Sequence, residues 1–125
     1  MGDYDIRADT AKNRLYIRIE GFFREAEAPP IWTELESAIA SLQPGFDVIT
    51  DLSGFKPGLP GVAKSLRKAG ELVKAGGRRR AVRVAGKLVT GLLQYKRELK
   101  DVFDEETTRY ASTVEEAERM LDEWD

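Results

Sequence analysis

This chain of 125 residues contains no cysteine and no histidine, so any chemistry must come from its carboxylates, lysines, arginines, tyrosines and hydroxyls. Their absence removes disulfides, thiol nucleophiles, haem attachment and the usual zinc and copper ligands. It also removes the side chain that most often moves protons near neutral pH, and with it any Ser-His-Asp triad. Asp47 and Asp51 flank an apolar run and form a candidate carboxylate pair, but neither has a base or nucleophile beside it in sequence. Asp104-Glu105-Glu106 lacks the spacing of a calcium loop. The chain therefore reads as non-catalytic, with no cofactor and no metal.

A second candidate is the stretch Asp51-Leu52-Ser53-Gly54-Phe55-Lys56-Pro57-Gly58. Its glycines allow close backbone approach, and a helix N-terminus following it would favour an anion. A nucleotide P-loop is excluded. Gly61 is separated from Lys64-Ser65 by Val62-Ala63, and Pro57 and Pro60 remove amide donors. The simpler reading is a tight strand-to-helix turn.

The third feature is charge. The net value is only −2, yet residues 56–100 hold 13 Lys/Arg against 2 Asp/Glu. Residues 1–55 hold 5 against 10, and residues 101–125 hold 2 against 10. Arg78, Arg79, Arg80, Lys64 and Lys68, with Arg67 and Lys74 near them, are candidates for a basic patch toward an acidic protein, an anionic lipid or nucleic acid. The alternative is solvated helix faces partly neutralised by the acidic last segment. Nucleic acid is disfavoured, since no basic motif is interleaved with aromatics.

The elements that carry these residues follow from periodicity. Tyr4–Asp9 alternates weakly. Arg14–Phe22 alternates cleanly, with Leu15, Ile17 and Ile19 on one side and Arg14, Tyr16, Arg18 and Glu20 on a lightly covered other side. The two runs predict an antiparallel hairpin. Pro29-Pro30 opens a helix bearing Ile31, Leu35, Ala38, Ile39 and Leu42, and Pro44-Gly45 ends it. Phe46–Leu52 is a strand, Gly61 to Ala75 a helix stopped by Gly76-Gly77, and Arg78–Ala85 a strand. A helix is expected from Leu88 to about Phe103, then a short strand Thr107–Ala111. Two overlapping capping boxes, Ser112 with Glu115 or Thr113 with Glu116, precede a last helix with Val114, Ala117, Leu121 and Trp124 on its core side.

The order ββαβαβαβα predicts a single α/β domain over residues 1–125. Its sheet should be five-stranded, mixed and mostly parallel, with about four helices and right-handed crossovers. A chain of this length buries roughly two-thirds of its unfolded surface, enough for one core. No apolar run reaches the ~18 residues of a membrane span, and no basic-then-apolar leader is visible, so a cytoplasmic protein is expected.

This order, the hairpin, the strand ending in DLSGF, the basic strand RRRAVRVAG and the segment FDEETTRYASTVEEAERMLDEW together resemble the STAS superfamily. The similarity is closest to the SpoIIAA-like branch of anti-sigma factor antagonists and spans nearly the whole chain. The resemblance implies a bacterial regulatory module that docks a protein partner. In that family an Asp-Ser-Ser-Gly or Asp-Thr-Ser-Gly stretch follows the strand, and its second hydroxyl residue is phosphorylated. Here the matching residues are Lys56-Pro57-Gly58-Leu59, with no hydroxyl and no preceding acid. Ser53 matches the end of the strand, not the phosphorylated position. Some members of the branch resemble CRAL-TRIO domains, which implies an alternative occupant, a lipid or small apolar ligand.

Parallel strands place their carboxyl ends on one edge, where ligands of open α/β sheets gather. The loops at 21–30, 52–61 and 85–90 should converge there, bringing Phe22, Phe23, Ser53, Phe55, Lys56, Gly58, Leu59 and Lys87. These form the candidate surface for a protein partner, or the mouth of a pocket. Alternatively the phenylalanines turn inward. A weak homodimer is also compatible with the opposite charge blocks.

Overall fold

The structure, a computed structural model, describes residues 2–21, 28–54, 62–84 and 107–124. The two alternating runs form β1 (Asp3–Asp9) and β2 (Arg14–Glu20). In the turn between them Asn13 adopts a φ of 54°, and the Lys12 amide donates to Asp9 Oδ1 at 3.1 Å. Then come α1 (Ala28–Ala40), β3 (Asp47–Asp51), α2 (Val62–Ala75), β4 (Arg80–Val84), β5 (Thr108–Ala111) and α3 (Val114–Glu123).

β1 pairs antiparallel with β2, and β2, β3, β4 and β5 pair parallel in sequence, giving the order β1-β2-β3-β4-β5. The expected mixed, mostly parallel sheet of five strands is present. Three helices rather than about four are described, and the segment expected to form the other, Leu88 to about Phe103, lies outside the described residues. Among the described residues no helix is long and apolar enough to cross a membrane.

The period of two along each strand divides the core between two faces. On one face Leu15 and Ile17 of β2, Val48 of β3 and Ala81 of β4 meet Leu35 of α1 and Val73 of α2, with Phe46 fully buried. On the other, Ile49, Val82, Val84 and Ala111 meet Ala117 and Leu121 of α3. Gly77 closes α2 with a φ of 103°, and a Cβ there would lie 3.0 Å from Pro44 Cα, so two tight turns touch. This left-handed stop follows from the glycine pair.

The overlapping capping boxes resolve to one. Thr113 is the N-cap of α3; its Oγ1 accepts from the Glu116 amide at 3.1 Å, while Glu116 Oε2 accepts from the Ser112 amide at 3.2 Å. The position of α3 corrects one expectation. The polar side of β2 reads as lightly covered, yet Arg14 is only 5% exposed, because α3 carries its carboxylates over that side.

Candidate functional site

Strand register arranges the α3-side face into cross-strand rows. Asp9, Arg14, Asp47 and Arg80 form one row across four strands. Arg7, Tyr16, Ile49, Val82 and Arg109 form the next. Asp5, Arg18 and Asp51 form a third, continued by Val84 and Ala111. The outer rows alternate acid with base, and the row between them is apolar at its centre. Such neighbours on one face stabilise a sheet when their charges are opposite.

The first row lies under α3. Arg14 reaches Glu118 at 3.4 Å and Asp122 at 3.1 Å, and the Tyr16 hydroxyl donates to Glu118. Lys12 Nζ lies 3.9 Å from the same Glu118 oxygen. Arg80 binds Asp47 through two nitrogens and donates to the Trp124 carbonyl. Arg109 stacks 3.8 Å from the centre of the Trp124 ring. Burial holds the Tyr16 hydroxyl above its ordinary pKa, helped by Glu118 and opposed by Arg14. Burial works against the Arg14 charge, but Asp122 and Tyr16 outweigh it and raise its pKa.

Among the described residues the third row is least covered at its β1 end, where Asp5 is exposed, while Arg18 and Asp51 are half-buried. Arg18 pairs with Glu20 at 2.8 Å and Asp3 at 3.4 Å. Between this row and the middle one lies a cavity of about 140 Å³, lined by Tyr16 and Ile49 of the sheet, Val114 of α3 and the charged Arg7, Arg18 and Asp51. The Arg7 guanidinium lies 4.0 Å over the Tyr16 ring. Sequence reasoning passed over Arg7 and this hollow. The available signal was the charge at every second position of DYDIRAD, in step with that of RLYIRIE.

Asp51 links the hollow to the carboxyl edge. Its Oδ1 accepts from the Ser53 amide at 3.0 Å and from the Ser53 hydroxyl at 2.6 Å. The Leu52 amide donates to the Val84 carbonyl at 2.7 Å, and the Gly21 amide to the Gly54 carbonyl at 2.8 Å. Ser53 and Gly54 are thus an exposed turn fastened to β3, β4 and the end of β2. Of the other residues expected at this edge, Phe22, Phe23, Phe55, Lys56, Gly58, Leu59 and Lys87 lie outside the described residues.

The carboxylates of the candidate pair do not meet. Asp47 and Asp51 stand at opposite ends of a five-residue strand, about 13 Å apart along it. The paired carboxylates of glycoside hydrolases, for comparison, lie within about 10 Å. Each is also engaged elsewhere, Asp47 by Arg80 and Asp51 by Ser53.

The basic residues are dispersed. Arg78 reaches Thr108 Oγ1 at 3.4 Å, Arg79 is exposed, and Arg80 is held by Asp47. All three follow the last turn of α2. Lys64 sits in its first turn by backbone, its side chain lying outside the described residues, and exposed Lys68 comes one turn later. The helix separates Lys64 from the arginines by roughly 20 Å. Among the described residues, two acids of α3, Glu118 and Asp122, pair with Lys12 and Arg14. Arg83, 8% exposed, is lowered by burial to about 10, with Tyr110 opposing the fall and Arg78 adding to it.

No protein-family model matches the chain, and no curated protein sequence matches it.

Proposed function

We propose that the chain is a non-catalytic docking module of the STAS type, which offers the carboxyl edge of its sheet to a protein partner. The observation that carries this reading is the unbroken strand order. Open α/β sheets hold small ligands in the crevice where strand order reverses. Here β2 to β5 follow one another without reversal, so this feature, which opens a crevice in other sheets, does not arise between them. A continuous edge suits a macromolecular surface better than a small molecule.

Ser53-Gly54 lies at the end of the central strand and is fastened before any partner arrives, which lowers the ordering cost of binding. Asp51, which opens the DLSGF stretch that is one part of the resemblance to the antagonists, is the last residue of β3. The docking would not use the family's phosphorylated hydroxyl, which has no counterpart in residues 56–59. The hollow among the described residues, at about 140 Å³, is smaller than the ~300 Å³ at which ligand pockets begin, so that hollow by itself would not seat a lipid.

The test replaces Ser53 with a photo-crosslinking amino acid and, as control, exposed Arg119 on α3. Irradiation in the native host should join a discrete polypeptide to position 53 and not to position 119. The same species at both positions, or an adduct of small-molecule mass, would overturn the reading.

A further inference from the structure

β1 is an edge strand of seven residues, and among the described residues nothing pairs with its outer side. An open row of backbone amides and carbonyls is a template for another strand, and sheets often guard such an edge with charge. β1 carries Asp3, Asp5, Arg7 and Asp9 at alternate positions, all on the α3-side face. This pattern repels most strands, but it suits a second copy of itself.

Consider two β1 strands antiparallel about a two-fold axis through Ile6. Directly opposed residues share a face. Ile6 then opposes Ile6, Tyr4 opposes Ala8, and Asp5 opposes Arg7 twice, once on each side of the axis. Both charged groups are exposed, and among the described residues neither has an ion pair within its own chain. The like pair at each end, Asp3 with Asp9, is moderated. Asp3 lies 3.4 Å from Arg18, and Asp9 accepts the Lys12 amide at 3.1 Å. Slipping the register by two residues either way puts a like pair on the axis, Asp5 on Asp5 or Arg7 on Arg7, and shortens the paired length.

We propose that the chain forms a symmetric dimer by antiparallel pairing of β1 with β1 centred on Ile6, so that two sheets become one. The interface is isologous, as a two-fold requires. It lies on the long side of the sheet, away from the carboxyl edge, so dimerisation and partner docking can fail independently.

The decisive experiment is sedimentation equilibrium on the wild-type chain, Asp5→Arg, Arg7→Asp and an equimolar mixture of the two variants, with thermal melts confirming that each is folded. The wild type should be dimeric. Each variant alone places like charges at both pairs, and its dissociation constant should rise about ten- to hundredfold. The mixture should recover dimers containing one chain of each kind, because both pairs between positions 5 and 7 then join opposite charges. Should either variant fail to melt cooperatively, the doubly exchanged D5R/R7D chain carries the test, since it restores both pairs with the signs reversed. A monomeric wild type, a dimer indifferent to these charges, or folded variants whose mixture stays monomeric would overturn the proposal.

Discussion

Asp47 and Arg80 face each other across the β3–β4 pair as two forks, with Oδ1 3.2 Å from Nε and Oδ2 3.3 Å from Nη2. The pair is nearly enclosed, and α3 closes over it through the Trp124 carbonyl and the indole ring, which lies 5.6 Å from the guanidinium. Because Arg14 opposes Asp47 on the other side, one carboxylate serves the centre of a four-strand row of alternating charge.

Removing that carboxylate leaves a confined cation. Asp47→Ala should lower unfolding free energy by about 3 kcal/mol, whereas Asp47→Leu with Arg80→Met should recover most of the loss, since an enclosed ion pair is often no more stable than an apolar pair of similar volume. Urea denaturation of the three proteins measures both. A single substitution costing under about 1 kcal/mol would show that the row is not held by this pair.

The Tyr16 hydroxyl implies a loss of stability at high pH. Its folded pKa is raised above its ordinary value of 10.0, first by burial and then by Glu118. The fold therefore favours the neutral form. The contribution is fully present below the unfolded value and disappears as pH climbs through the raised folded value. Tyrosinate absorbance should lose one late-titrating group in Tyr16→Phe, and stability should fall less steeply above pH 10 in that variant. Glu118→Gln should move the late group earlier.

Asn13 fastens the β1–β2 turn to the loop between α1 and β3. Its Nδ2 donates to the Gln43 carbonyl at 3.2 Å, and its Oδ1 accepts from the Gln43 amide at 2.8 Å. Its left-handed φ of 54° adds a requirement that most side chains meet poorly. Asn13→Ala should cost about 2 kcal/mol, combining lost hydrogen bonds with backbone strain. Asn13→Gly should cost less, because it removes only the bonds. Equal losses would mean that the backbone conformation contributes nothing.

Asp51 should couple fold to function. Asp51→Ala releases the amide and hydroxyl of Ser53 and should cost about 1 kcal/mol of stability. Amide exchange at Ser53 should quicken, and cross-linking from position 53 should weaken while the fold persists. Undiminished cross-linking with a faster-exchanging amide would show that the partner does not need the turn held.

Much of the fold was legible because strand and helix periods are local. Leu15, Ile17 and Ile19 alternate in the sequence, and β2 begins and faces inward accordingly. Val114, Ala117 and Leu121 recur at helical spacing and pack as one face of α3. The cap needed structural information, since Ser112 and Thr113 offer equivalent boxes, and it is Thr113 that takes the extended backbone of an N-cap and accepts from the Glu116 amide. The candidate site was legible at Ser53, whose strand-end position follows from the apolar run before it. Its anchor on Asp51 and the nearby hollow under Arg7 were not.

The charge blocks show the limit most clearly. Sequence order suggests that the acidic last helix partly neutralises the basic middle; among the described residues, two of its acids, Glu118 and Asp122, instead reach back to Lys12 and Arg14 at the other end of the chain. Coulombic attraction depends on distance in space, and a run of like charge does not say which run it will face. Alternation within seven or eight residues specified by itself which side of β2 is apolar, and the succession of strands and helices specified the α/β class; that α3 also covers the Arg14 end of the polar side was decided by tertiary packing. Strand order and register alone decided that Asp9, Arg14, Asp47 and Arg80 share a row, that Asp47 and Asp51 stand apart, and that β1 was left at the edge. Those outcomes depend on pairings between residues far apart in sequence, which a local period cannot encode.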